Sequence, residues 1–250
     1  MPKVIFESSE NSLVSRSSGM NYWRGSGTVY SGYIRYLNLN RASTAHDFAK
    51  SGTTVDTSRL LDGNPTIGMK PGIVYVLDST APYDIGTTDM SISYWVYPDT
   101  LDATRRFIYF KYIGARQGGG FQEVGSSIWL TSTNWTCNVQ YAIANFNDYT
   151  EATNTHGLST GSWQHIAFTI KRSTNTIRYY LNGVYSNQAT FGFDFSSYNI
   201  TNTIRDFVVG TGSYTGISGE YDGNMADIFF QKELWTDSDV YQIYRNVKQG

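Results

Sequence analysis

Three histidines, one cysteine and 21 acidic residues are the side chains in this 250-residue chain that could carry chemistry, and their spacing limits it. His46, His156, His165 and Cys137 spell no transition-metal spacing. Cys137 has no second cysteine to pair with and reads as a small buried hydrophobe. His165, inside "GSWQHIAFTIKRSTNTIRYYLNGV" (Gly161–Val184), is the strongest catalytic candidate. Catalysis there needs a partnering base or nucleophile. What surrounds it is alternation. Ile166, Phe168 and Ile170 oppose Ala167, Thr169 and Lys171, and Ile177, Tyr179 and Leu181 oppose Arg178, Tyr180 and Asn182. Trp163 and His165 fall two apart and share a face, so the histidine is expected to build a sheet, and no catalytic residue is assigned.

Binding chemistry is better supplied. A sugar site needs aromatic faces against sugar rings, with amides and carboxylates to hydrogen-bond the hydroxyls. Trp129, Trp135, Tyr141, Asn147, Asp148 and Tyr149 offer that set, the last three within the Tyr/Asn-rich stretch "ANFNDYTEATNTHG" (Ala144–Gly157), which reads as a loop. Any Tyr-rich β-sandwich with half its aromatics in the core would carry similar residues.

The elements that must hold these groups are strands. With 20 Tyr and 24 Gly and only 16% charged residues, the balance favours an all-β chain of many short strands. "YIRYLNL" opens the series, and a turn-rich stretch over residues 40–68 follows as expected loop. About ten strands then run from "GIVYVLD" to "GNMADIFFQ", at a spacing that implies two packed antiparallel sheets. Trp163–Ser186 reads as a three-stranded meander, with Asn182-Gly183 as a two-residue hairpin turn. "TDSDVYQIYRNV" is the one credible helix. Thr236 and Asp239 can cap it, and Val240, Ile243, Tyr244 and Val247 form one apolar stripe.

"DMSISYWVYPD" (Asp89–Asp99), "GSWQHIAFTI" (Gly161–Ile170), "RYYLNGV" (Arg178–Val184) and "YDGNMADIFFQKELWTDSDVYQIY" (Tyr221–Tyr244) occur in that order. Their combination resembles the laminin-G-like domains of the concanavalin A-like lectin/glucanase superfamily, pentraxin-like modules included. The resemblance is strongest over residues 70–247. It implies an all-β, two-sheet antiparallel jelly-roll sandwich with a short C-terminal helix, spanning residues 31–250 behind an arm of residues 1–30. It implies little about activity, because fold is not function. Hydrolases of this fold place acids on one strand as E-x-D-x-x-E or E-x-D-x-E, aimed at one cleft; that run is absent here, and Glu220-Tyr-Asp222 is the nearest pair. A glycoside hydrolase is therefore the weakest reading. The resemblance also admits calcium at one rim, with Asp84, Asp89, Glu220 and Asp222 as the loop acids to hold it.

Charge is spread unevenly. Residues 1–60 hold seven Lys/Arg and four acids, while the chain as a whole carries −2. That net charge leaves no footprint for nucleic acid. No run reaches the ~18 apolar residues of a membrane span, and the opening "MPKVIFESSENSLVS" lacks the apolar core of a secretory signal. An adhesion-type module without such a signal fits a virus or phage virion protein, as a capsid decoration or a tail or fibre component. In that reading the arm, through Val4, Ile5, Phe6, Tyr22, Trp23 and Arg24, contacts other virion subunits or further copies of the chain. The sandwich faces outward, toward a cell-surface glycan. The alternative is a soluble lectin-like module at an extracellular surface reached by a non-classical route, with Ca²⁺ optional.

Overall fold

Strands that alternate apolar and polar side chains bury one face each, and two such sheets must close on one another. The computed structural model describes residues 14–15, 21–22, 29–30, 34–37, 48–51, 54–61, 64–68, 73–76, 85–112, 125–143, 146–201, 207–214 and 217–248. The described strands begin with β1 (Val14–Ser15), β2 (Asn21–Tyr22), β3 (Val29–Tyr30), β4 (Ile34–Leu37), β5 (Phe48–Ser51), β6 (Thr54–Leu61), β7 (Asn64–Gly68) and β8 (Ile73–Val76). The middle of the chain supplies β9 (Met90–Pro98), β10 (Arg106–Tyr112), β11 (Gly125–Leu130), β12 (Asn134–Ile143), β13 (Phe146–Thr155), β14 (Gln164–Lys171), β15 (Thr176–Leu181) and β16 (Val184–Thr190). Last come β17 (Phe207–Val209), β18 (Thr211–Tyr214), β19 (Ile217–Glu220) and β20 (Gly223–Gln231), then helix α1 (Asp237–Lys248).

Two large antiparallel sheets result. The seven-stranded sheet runs β13-β12-β11-β10-β17-β8-β5. The nine-stranded sheet runs β16-β15-β14-β9-β20-β4-β3, with β7 also on β20 and β6 on β7. This is the expected jelly-roll sandwich, and the meander β14-β15-β16 sits where the alternation placed it. Both turn residues of its second hairpin have positive φ, +52° at Asn182 and +79° at Gly183, as a two-residue turn of that hand requires.

The core lies between the sheets. Ile92, Tyr94 and Val96 of β9, and Ile166, Phe168 and Ile170 of β14, face Ile128 and Leu130 of β11 and Trp135, Cys137 and Val139 of β12. Each such fully buried large side chain contributes about 1.5–3 kcal/mol. The outer face of the nine-stranded sheet is covered too. Trp95, Ala167, Tyr180, Ala226 and Phe229 form a second apolar layer that receives Trp235, Val240 and Ile243. Helix α1 therefore docks through the predicted stripe; the Val247 side chain lies outside the described residues. Its start is capped reciprocally. Thr236 N–H donates to Asp239 Oδ2 at 2.8 Å, and Asp239 N–H donates to Thr236 Oγ1 at 3.2 Å.

Two expectations differ. The stretch expected as loop over residues 40–68 carries β5, β6 and β7, with Leu61 paired to Asn64 across Asp62-Gly63. That dipeptide is a hairpin signal, here hidden among Ser, Thr and Asn. Residues 146–155, also expected as loop, form β13, in continuous register with β12 from Ile143↔Phe146 to Asn134↔Thr155. Within the segment read as an arm, Val29–Tyr30 joins the nine-stranded sheet and Asn21–Tyr22 pairs with Val14–Ser15. Val4, Ile5, Phe6, Trp23 and Arg24 lie outside the described residues, as does the side chain of Tyr22.

Candidate functional site

The register of β10 to β13 sets rows of side chains across the seven-stranded sheet, on the face away from the core. Because alternate residues share a face, Phe107, Trp129, Thr136 and Thr153 form one row, and Ser127, Asn138 and Glu151 the next. A third row runs through Gly125, Gln140 and Tyr149. The polar members are tied together. Asn138 Nδ2 donates to Glu151 Oε1 at 3.1 Å, and the hydroxyls of Thr136 and Thr153 are 3.0 Å apart. A bulge between Phe107 and Tyr109 turns Phe107 to this face and Tyr109 inward, where its hydroxyl bonds Ser126 Oγ at 3.0 Å.

Of the aromatics expected to meet a sugar, Tyr149 is 59% exposed. Trp129 lies on the same face but is 5% exposed. The Arg105 guanidinium covers its ring at 4.8 Å and Phe107 tilts against it at 5.6 Å, so it supports the face from below. Trp135 is a correction. It is fully buried on the opposite face of β12, packed against Phe168 and Tyr179, and offers no ring face to a ligand. Its alternation with Cys137 and Val139, against Thr136 and Asn138, carried that signal. Tyr141 pairs in register with Asp148, and Ala142 with Asn147; the side chains of Tyr141, Asn147 and Asp148 lie outside the described residues.

Sequence reasoning missed Phe193. It follows β16 in a loop that runs along the β13 edge, and it is 41% exposed. Its N–H donates to Thr150 Oγ1 at 2.8 Å, which sets it next to the residue after Tyr149. Its ring lies 6.1 Å from that of Tyr198. Phe191, Phe193 and Phe195 alternate in "FGFDFSS" as a strand would, a pattern that implies one shared face and hides the outward turn of Phe193.

The acids chosen for calcium do not share one site. Asp89 precedes β9, and its Oδ1 accepts the Arg172 N–H at 2.8 Å. Asp222 lies at the far end of the same strand, where its carbonyl accepts the Asp99 N–H at 2.9 Å. About 30 Å of strand, at ~3.4 Å per residue, separates them. Asp84 lies outside the described residues. Glu220 and Asp222 do sit near Asp99 and Asp102, but guanidinium groups already meet those two carboxylates. Arg59 Nη1 reaches Asp99 Oδ2 at 2.7 Å, and Arg106 Nη2 reaches Asp102 Oδ2 at 2.6 Å. The Arg106 hydrogen bond holds the Asp102 carboxyl below its usual range. Among the described residues no group of three or more His, Cys, Asp or Glu is placed to hold a metal ion.

Among the described residues, Ser159, His156 and His165 serve the fold. Gly157-Leu-Ser-Thr-Gly161 spells G-x-S-x-G, yet it links two strands and leads into no helix, unlike a nucleophile elbow. Ser159 Oγ lies 3.5 Å from Gln164 Oε1 and 3.4 Å from Ser162 Oγ. His156 accepts the Leu158 N–H on Nδ1 at 2.9 Å, so its Nε2–H donates to the Thr131 carbonyl at 3.0 Å. His165 is fully buried beneath α1, tilted against Trp95 and Tyr244, with neither ring nitrogen hydrogen-bonded. Burial drives its pKa down to about 3, so it stays neutral.

Two antiparallel sheets packed on one core, with a helix closed over the outer face of one, define a jelly-roll sandwich. The chain belongs to the concanavalin A-like lectin/glucanases superfamily, whose laminin-G-type family model matches residues 75–240. No curated protein sequence matches the chain. Among solved structures it is similar to the binding domain of Paraclostridial Mosquitocidal Protein 1, at 12% identity and TM-score 0.54, covering 80% of this chain and 47% of that one. It is similar also to the botulinum neurotoxin serotype D/C VPI 5993 binding domain, at 12% identity and TM-score 0.54, covering 89% and 50%. A third is the CBM40 of the Ruminococcus gnavus IT-sialidase bound to α2,3-sialyllactose, at 9% identity and TM-score 0.47, covering 66% and 92%. The chain thus spans about half the length of the toxin domains. No helix among the described residues is long and apolar enough to cross a membrane.

Proposed function

We propose that this protein is a non-enzymatic, lectin-like module that binds glycan on the outer face of its seven-stranded sheet, at the β13 edge. The observation that carries the reading is Tyr149. It is 59% exposed, on the sheet face that carries the Asn138–Glu151 pair. Stacking on the ring, with hydroxyls bonding the half-buried Glu151 carboxylate, is the chemistry of sugar recognition; Asn138 is buried and holds that carboxylate in place. The two toxin domains of like fold are binding domains by their descriptions, and the reading carries that role across. Hydrolysis would need two carboxylates facing one cleft. Glu151 is bonded to Asn138, and Asp99 and Asp102 are bonded to arginines. The test is a glycan array probed with wild type and Tyr149→Ala. Binding that the variant loses is expected; binding that survives unchanged would place the site elsewhere.

A virion placement extends this reading and rests on the composition and on the basic charge of residues 1–60. There the sandwich presents its glycan face outward, and residues 1–30 hold neighbouring subunits. Light scattering on the full chain and on a chain lacking residues 1–28, which keeps β3 in its sheet, tests it. The placement requires an oligomer that the deletion dissolves.

A further inference from the structure

The loop after β16 is built to hold one aromatic side chain outward. Its base is fixed by Asn175, whose Nδ2 donates to the carbonyls of Phe191 at 3.0 Å and Phe193 at 2.9 Å. The buried Arg172 guanidinium donates to the carbonyls of Phe195 and Ser196, both at 2.9 Å, and lies over the Phe195 ring. Phe191 and Phe195 meet edge to face in the core at 5.0 Å. Of these three rings only that of Phe193 turns to solvent, between the exposed Gly192 and Asp194. The loop is also lashed to β13, through Phe193 N–H to Thr150 Oγ1 and Gly192 N–H to the Glu151 carbonyl at 3.4 Å. A preorganised loop loses little entropy when a ligand seats on it.

We infer that the Phe193–Tyr198 pair continues the Tyr149 face around the β13 edge as one ridge, whose ligand is a neutral oligosaccharide several rings long. This rests on the glycan-binding reading above. Two aromatic stations, one on either side of the edge strand, offer a chain of sugar rings more than one place to stack. The charge at the ridge selects the sugar. Glu151 stands beside Tyr149, and Asp194 stands beside Phe193 with its Oδ1 accepting the Ser196 N–H at 2.8 Å. Both carboxylates accept hydroxyl hydrogens and disfavour an anionic sugar; the Arg172 guanidinium, beneath the loop and donating to its carbonyls, offsets part of the Asp194 charge.

The experiment titrates neutral oligosaccharides of two to six rings (xylo-, arabino-, malto- and cello- series), with lactose against α2,3-sialyllactose as the charge pair. Wild type, Tyr149→Ala and Phe193→Ala are compared by calorimetry. In wild type, affinity for the series that binds is expected to rise about tenfold, ~1.4 kcal/mol, between the shortest and longest chains. Phe193→Ala is expected to flatten that rise while keeping the short-chain affinity, and Phe193→Tyr to restore it. Lactose is expected to exceed sialyllactose. A rise that persists in Phe193→Ala, or tighter binding of sialyllactose, overturns the inference and leaves the glycan reading standing. Binding that Tyr149→Ala leaves untouched, or a blank panel, overturns both.

Discussion

Trp135 and Asn187 join the two sheets through a single amide. The indole Nε1–H of Trp135 in β12 donates to Asn187 Oδ1 in β16 at 3.2 Å, and the same amide's Nδ2 donates to the Thr155 carbonyl of β13 at 2.7 Å. Asn187→Ala strands a buried indole N–H and a strand carbonyl together. The expected cost is about 1–3 kcal/mol, read as a lower urea midpoint with an unchanged m-value. A midpoint equal to wild type would mean that water replaces the amide at no cost.

The pH dependence of stability should carry the mark of His165. Its folded pKa of about 3 lies below the ~6.5 of an unfolded histidine. The unfolded chain therefore binds the proton more readily. Stability is complete above ~6.5 and falls as pH drops toward the folded value, by up to ~1.4 kcal/mol per pH unit. Burial lowers the pKa of His156 as well, and it adds in the same direction. His165→Leu is expected to flatten the slope and raise stability at pH 5, because it removes two buried nitrogens that lack partners. A slope unaltered in that variant would assign the acid sensitivity to other groups.

Gly183 is fixed twice over. Its φ of +79° disfavours a side chain, and a Cβ there would lie 2.7 Å from the Tyr244 ring of α1. Gly183→Ala is expected to cost about 2–4 kcal/mol by combining left-handed strain with overpacking. It should also loosen the helix, visible as lost near-ultraviolet dichroism from the Trp95–Tyr244 stack, whose rings lie 5.6 Å apart. Full retention of that signal would place the strain in the turn alone.

Calcium should find no site at the Asp99–Asp102 rim. Arg59 and Arg106 already supply positive charge to Asp99 and Asp102, and a cation would have to displace them. Thermal midpoints with excess Ca²⁺ and with chelator should coincide. A rise of several degrees with Ca²⁺ would identify a rim site that excludes those arginines.

Much of the fold was legible because alternation is a strong signal wherever one face is buried. Ile166, Phe168 and Ile170 announced β14, and Asn182-Gly183 announced its hairpin. β13 escaped because it is an edge strand, and its "NDYTEATNT" shows little apolar alternation beyond Ala152. For the site, Tyr149 could be named from type alone. Phe193 could not, because its exposure is set by Asn175 and Arg172, which reach its loop from 18 and 21 residues back in the chain. Trp135 was misjudged by weighing its chemistry ahead of its register with Cys137 and Val139.

β13 and β16, the outermost strands on one side of the two sheets, reach each other through side-chain amides. Asn187 takes up the Thr155 carbonyl, and Asn154 Nδ2 takes up that of Gln188 at 3.0 Å. Left bare, two such margins would invite strands from other molecules to add on. By answering each other they occupy two of the carbonyls that a foreign chain would pair with. The seam between the two margins is to that extent closed to an added strand.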